Sequence, residues 1–197
     1  AANPQSKPLL TVSVPLGLQM GTNPGNIQVN GVGHNLTVED PALATTPIEW
    51  NNTSVGLEVN PGKTLALVGG NVNLAGGILT APGGRIEIAA VDDSNTTSQI
   101  VGLNSVNQEW NLDLSNIKQL GNVNLSQQAL LNNSGSGVSS IQVQGSRIRL
   151  QDGSVMVQEN GGSQDSGEIF LRGTEAIELL GTVPNDDFRS GLINDTL

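Results

Sequence analysis

Cysteine and tyrosine are absent from the 197-residue chain, and aromatic residues of all kinds make up 2% of it. Without thiols there is no disulfide framework and no thiolate nucleophile or metal ligand, and redox chemistry gives no reading of compartment. With so few aromatics, any core must be assembled from Ile, Val, Leu and Ala, which favours thin repetitive layers over a bulky centre. Charge is scarce too: charged residues are 13%, and 8 basic against 18 acidic residues give a net charge of −10. That balance repels phosphate backbones and offers no counterion release, which argues against nucleic acid as a partner. The low charge is equally unlike the usual charged disordered chain. No apolar run approaches the roughly 18 residues of a membrane-crossing helix, so the chain is not expected to span a bilayer. It opens AANPQSK, with neither Met nor a charged-then-apolar leader. We therefore expect one domain over residues 1–197, cut from something larger, with any export signal outside it.

What is present is glycine, 25 residues, and a succession of short apolar-x-apolar triplets. In the first half these are Ile27 to Val29, Leu36 to Val38, Leu57 to Val59, Leu65 to Leu67, Val72 to Leu74, Ile78 to Thr80 and Ile86 to Ile88. The second half has Val123 to Leu125, Ile141 to Val143, Ile148 to Leu150, Val155 to Val157, Ile169 to Leu171 and Ile177 to Leu179. Alternation with period two and β-branched content make them half-buried strands. The one weakly helical stretch, Ser126 to Leu131, is too short to hold a helix.

Spacing organises the strands. Leu57 to Ile78 and Leu65 to Ile86 are 21 positions apart, as are Ile148 and Ile169, while Val155 and Ile177 are 22 apart. A period near 21 carrying about three short strands is what a parallel β-helix requires, each coil laying its strands on those of the coil below. The expected fold is all-β, a parallel β-helix with about 21 residues per coil. Roughly nine such coils would form a rod on the order of 45 Å. Turns such as Ala81-Pro82-Gly83-Gly84 are its corners, where φ > 0 is needed within a few residues. Asparagines at the same phase, as in NVNL at 71 and 122, suit ladders of stacked amides. Two regions break the pattern, one near 41–52 and one near 91–109. We read them as loops or hairpins leaving the rod, with Trp50 and Trp110 pinning their bases to a sheet.

The phrases VSVPLGLQMGTNPGNIQVNGVGHNLTV (12 to 38), GLEVNPGKTLALVGGNVNLAGGILTAPGGRIEIAAV (56 to 91) and IQVQGSRIRLQDGSVMVQENGGSQDSGEIFLRG (141 to 173) resemble filamentous-haemagglutinin-like exoproteins of two-partner secretion systems, of the cyanobacterial type. The resemblance covers most of the chain. It implies a right-handed parallel β-helix and export through a dedicated outer-membrane transporter. It also implies a secreted or cell-surface location in a Gram-negative-type bacterium. The asparagine-rich signature of the family's N-terminal secretion domain is not recognisable, which places this segment just after that domain, at the start of the shaft.

Chemistry-bearing residues are few. Asp92-Asp93 and Asp186-Asp187 (near Arg189) are the densest acidic pairs. Neighbours on a strand point to opposite faces, so neither pair serves one substrate or one calcium ion unless it lies in a loop. His34, the sole histidine, has no partner for zinc or for a triad and reads as a turn residue tolerating an unusual φ. NPGK at 60 to 63 is a turn without the spacing of a phosphate loop. Sequons at Asn35, Asn52, Asn95, Asn124, Asn132 and Asn194 reflect the use of Asn and Thr at turns. The expectation is a non-enzymatic shaft or adhesion segment with no catalytic residues, no cofactor and no metal, calcium being the one ion weighed. Trp50, Trp110, Asp92 and Asp93 are the candidate ligand contacts, and a surface glycan or receptor is the candidate partner beside the transporter. The alternatives are a polysaccharide-acting lyase or hydrolase on the same architecture, or a passive carrier for a C-terminal effector.

Overall fold

A computed structural model of the protein describes residues 15–38, 48–51, 56–92, 99–106, 109–162, 167–182 and 188–196. Every element among them is a strand. In chain order these are β1 (Gly17–Met20), β2 (Ile27–Asn30), β3 (Leu36–Val38), β4 (Ile48–Trp50), β5 (Leu57–Glu58) and β6 (Thr64–Gly69). Next come β7 (Val72–Ala75), β8 (Ile78–Thr80), β9 (Arg85–Ala90), β10 (Gln99–Val106), β11 (Glu109–Asp113) and β12 (Val123–Ser126). The series ends with β13 (Leu130–Asn132), β14 (Ser140–Gln151), β15 (Val155–Asn160), β16 (Ile169–Leu180) and β17 (Gly191–Thr196). No helix of the described residues is long and apolar enough to cross a membrane.

The strands form three parallel stacks. The first contains β2, β7, β12 and the second halves of β14 and β16. The second contains β5, β8, β13, β15 and β17. The third contains β6, β9 and the first halves of β14 and β16. The chain visits the stacks in turn and builds five layers, the last lacking a third-stack strand among the described residues. At the usual strand spacing, five layers span roughly 19 Å.

Register places like on like. One column runs Ile27, Val72, Val123, Ile148, Ile177, and the next runs Val29, Leu74, Leu125, Leu150, Leu179. The second stack contributes Leu57, Leu79, Leu131, Met156, Leu192. The third contributes Leu65, Ile86, Ile141, Ile169. In the middle layers these side chains are sealed from water and form one continuous core. Branched aliphatics fill so narrow a space at high density, which is why the composition can dispense with aromatics. Gly83 (φ 58) takes the left-handed conformation at a corner. A methyl on the adjacent Gly84 would overlap the Lys63 carbonyl of the layer below. The paired glycines thus serve backbone shape and backbone approach respectively.

Several expected registers need correction. Leu65 does pair with Ile86, but Leu57 pairs with Leu79, not Ile78. Ile148 pairs with Ile177, and Ile169 with Ile141. Val155 lies between Leu130 and Gly191, not beside Ile177. For the second block the cause is β14, a 12-residue strand that bends at a register shift between Gly145 and Arg147 and serves two stacks without a loop. The layer between Ile148 and Ile177 is therefore 29 residues long. Two excursions lengthen earlier layers, so the described residues make five of them and not nine. The Ser126 to Leu131 stretch is no helix: Gln127 (φ 56) and Gln128 (φ 60) turn the chain from β12 into β13.

Both excursions are antiparallel sheets that cover outer faces. The β3–β4 hairpin places Leu36, Val38 and Ile48 over the outward Ile78, Leu130, Val155 and Val157 of the second stack. The three-stranded sheet β1–β10–β11 lays Met20, Val101, Leu103 and Leu112 over Val68 and Ala89 of the third stack. Among the described residues the outer face of the first stack carries no such cover.

Candidate functional site

The uncovered face presents one polar side chain per layer in lateral register: Gln28, Asn73, Asn124, Arg149 and Glu178. Along its edge runs a ladder of asparagines. The Asn71 amide N–H donates to Asn26 Oδ1 (2.9 Å), Asn122 N–H to Asn71 Oδ1 (2.8 Å) and Arg147 N–H to Asn122 Oδ1 (3.3 Å). Asn71 and Asn122 thus fill the role their phase suggested. Each carboxamide satisfies an N–H at the start of the next strand, where the sheet ladder supplies no acceptor. In the upper layers the row becomes ionic. Glu178 accepts from Arg147 Nη1 (3.1 Å) and Arg149 Nε (2.7 Å). The Arg149 hydrogen bond in particular holds its carboxyl below the ordinary value.

Asp92 sits at this corner, in a shallow polar groove of ≈ 350 Å³ that it lines with Asn71, Lys118, Asn122, Thr174 and Glu175. Asp93, Asp186 and Asp187 lie outside the described residues. Among the described residues no three His, Asp or Glu side chains cluster as metal ligands would. Trp50 is tied down: its indole N–H donates to Glu159 Oε2 (2.8 Å), across 109 positions of sequence, with the residue 40% exposed. Trp110 is half-buried in β11, where its carbonyl accepts from Thr64 Oγ1 (3.4 Å). The Trp50 indole thus ties the β3–β4 hairpin to the second stack, whereas Trp110 reaches Thr64 of the third stack through its backbone carbonyl.

His34 requires correction. The positive φ belongs to Gly33 (φ 83), while His34 is fully buried. Its Nδ1 accepts from the Leu36 N–H (3.2 Å), so the proton sits on Nε2, which donates to the Gly153 carbonyl (2.8 Å). Burial holds its pKa below 6.5, with the Gly153 carbonyl acting against the shift. Sequence reasoning also passed over Glu87, which is 1% exposed on the outward side of β9. Arg85 donates to its Oε1 from Nη2 (2.8 Å) and Nε (3.2 Å). Burial raises its pKa, and Arg85 and the Leu112 backbone only partly offset that. The signal was legible in retrospect, since Glu87 alternates with Ile86 and Ile88 in a strand with both faces covered.

Among the described residues, a stack of in-register strands with two strapped faces and one open polar face defines a layered all-β scaffold. A family model for the TPS secretion domain matches residues 1–150, and the chain belongs to that family. It is a secreted exoprotein of a Gram-negative-type two-partner secretion system, whose partner during export is an outer-membrane transporter. The match covers residues 1–150, so secretion-domain sequence lies within this chain, which corrects the expectation that the segment falls just after that domain. No curated protein and no solved structure matches the chain.

Proposed function

We propose that the chain is the folded start of a haemagglutinin-like exoprotein, a right-handed parallel β-helix whose role is structural and adhesive, without enzymatic activity. The observation that carries this reading is the fifth layer. Ile177, Leu179 and Leu192 are 46%, 46% and 41% exposed, yet they sit in register on the fully buried Ile148, Leu150 and Met156. An apolar row presented at an open strand edge is a template for one more layer. Repetition of that step makes a shaft. Because each layer pairs mainly with its neighbours, folding can advance along the stack as chain emerges from a pore, and the lack of cysteine keeps the chain threadable.

Expression of residues 1–197 in a Gram-negative host with and without its transporter tests the reading. The chain should reach the medium only with the transporter and should be protease-resistant there. Transporter-independent release, or release in a protease-sensitive form, would overturn it. A glycan-adhesion role rests on the partly exposed Trp50, and Trp50→Ala on a glycan array decides it. The groove beside Asp92 favours one further reading, a polysaccharide-acting enzyme, which turnover of acidic glycans lost in Asp92→Asn would establish.

A further inference from the structure

We infer that the β3–β4 hairpin is a latch that docks late in folding and is released when His34 takes up a proton. The hairpin is inserted in the first layer, but what it docks on is made far downstream. Its apolar side meets Val155, Val157 and Phe188 besides Ile78 and Leu130. Both of its polar pins end in the fourth layer, His34 on Gly153 and Trp50 on Glu159, 119 and 109 positions away. The anchors at 153, 155, 157, 159 and 188 all fall beyond the 150 residues of the family match. Until the fourth layer is laid down, Leu36, Val38 and Ile48 have only part of their cover, and both pins lack their acceptors.

Geometry also makes the latch sensitive to protons. The neutral ring is fully used, Nδ1 accepting from Leu36 N–H and Nε2–H donating to Gly153. A second proton has only Nδ1 to occupy, where it would oppose the Leu36 N–H and place a charge in a fully buried position. Among the described residues the surroundings offer no compensating carboxylate at the ring. From the β12–β13 turn, Gln128 Nε2 donates to the His34 backbone carbonyl (3.2 Å). From the 188 segment, Phe188 presents its ring at 5.0 Å and 61°. Among the described residues the charged groups nearest these anchors in sequence are Asp152 and Arg189, and neither hydrogen-bonds the ring; Asp187, next to Phe188, lies outside the described residues. On the hairpin Glu49 accepts from Thr37 (3.3 Å), and Glu159 is engaged by Trp50. Burial, which already favours the neutral ring, acts in the same direction.

The latch stands on contacts alone. Its consequence for export, that the N-terminal region stays partly unsealed until residues near 188 are available, rests on the secretion reading above. The test uses the whole 197-residue chain with Trp110→Phe, leaving Trp50 as the sole tryptophan. Acrylamide quenching of Trp50 should rise in one step as pH falls, with a midpoint below the ordinary histidine value of about 6.5 and with far-UV dichroism unchanged. His34→Gln, which keeps a donor for Gly153, should abolish the step. Glu159→Gln, which keeps an acceptor for Trp50, should leave its midpoint in place. No step before global unfolding, or an unaltered step in His34→Gln, refutes the proton-sensitive latch. Should His34→Gln not fold, ¹⁵N spectra of the native ring decide: an Nε2–H tautomer at pH 7 supports the latch, and any other state contradicts it. Late docking is read from pulse-labelled refolding, where the Leu36 amide should gain protection after those of Val72 and Ile86; simultaneous protection refutes it. None of these readouts involves the transporter, so failure of the secretion assay and failure of the latch are separable.

Discussion

The same truncation made at two heights of one column should have very different costs. Leu125 is fully buried, with Leu74 below it and Leu150 above it in register, and both are fully buried themselves. Leu179 tops that column at 46% exposure. Leu125→Ala loses roughly 2 kcal/mol of transfer free energy. The cavity left between two rigid neighbours brings the total to about 3–4 kcal/mol. With an m-value of roughly 2 kcal/mol/M for urea, the midpoint should fall by about 1.5–2 M. Leu179→Ala removes a half-exposed side chain at an open end, and we expect about 1 kcal/mol and a midpoint shift of roughly 0.5 M. Dichroism and tryptophan fluorescence should be followed together, because layered proteins can unfold stepwise and coincident curves are needed before midpoints become energies. Equal costs, or a larger cost at Leu179, would refute the argument that the column is closed in the middle and open at its end.

Other consequences are equally direct. Asn122→Ala should cost about 1 kcal/mol by stranding the Arg147 N–H, while Asn122→Asp keeps the accepting oxygen and should stay within about 0.5 kcal/mol of the parent in urea melts. Gly84→Ala forces a methyl onto the Lys63 carbonyl and should cost more than about 2 kcal/mol, whereas Gly25→Ala, with open space around it, should be within about 0.5 kcal/mol of the parent. Glu87 and His34 should shape stability in opposite senses. Glu87 has a raised folded pKa, so its contribution is full below about 4.5 and declines as pH rises through the folded value. His34 has a lowered one, so its contribution is full above 6.5 and declines as pH falls. Urea midpoints across pH should therefore lose their high-pH decline in Glu87→Gln and their low-pH decline in His34→Gln.

Strand content and parallel pairing were legible because each depends on local pattern. Period-two alternation marks strands, and the Leu65 to Ile86 interval spans a layer with short turns only. Failure began where layer length stopped being local. Nothing in IQVQGSRIRLQ signals that a single strand turns a corner at Gly145 and so serves two stacks, and the intervals beyond it were misassigned. The ladder role of Asn71 and Asn122 could be read from their shared phase. His34 could not, because its burial depends on Gly153 and Phe188 arriving from far downstream, and no periodicity encodes that meeting.

In-register layering is the claim on which the rest depends, and a chain without native cysteine allows it to be mapped by pairs of introduced thiols. Lateral neighbours in adjacent layers lie about 4.8 Å apart, within the roughly 4.4–6.8 Å over which Cα atoms can be bridged by a disulfide. Asn73→Cys with Asn124→Cys, and Asn124→Cys with Arg149→Cys, should each oxidise to an intramolecular disulfide in the folded protein. Asn73→Cys with Arg149→Cys, two layers apart at about 10 Å, should not. Efficient bridging of that last pair, or of neither adjacent pair, would contradict the layered register.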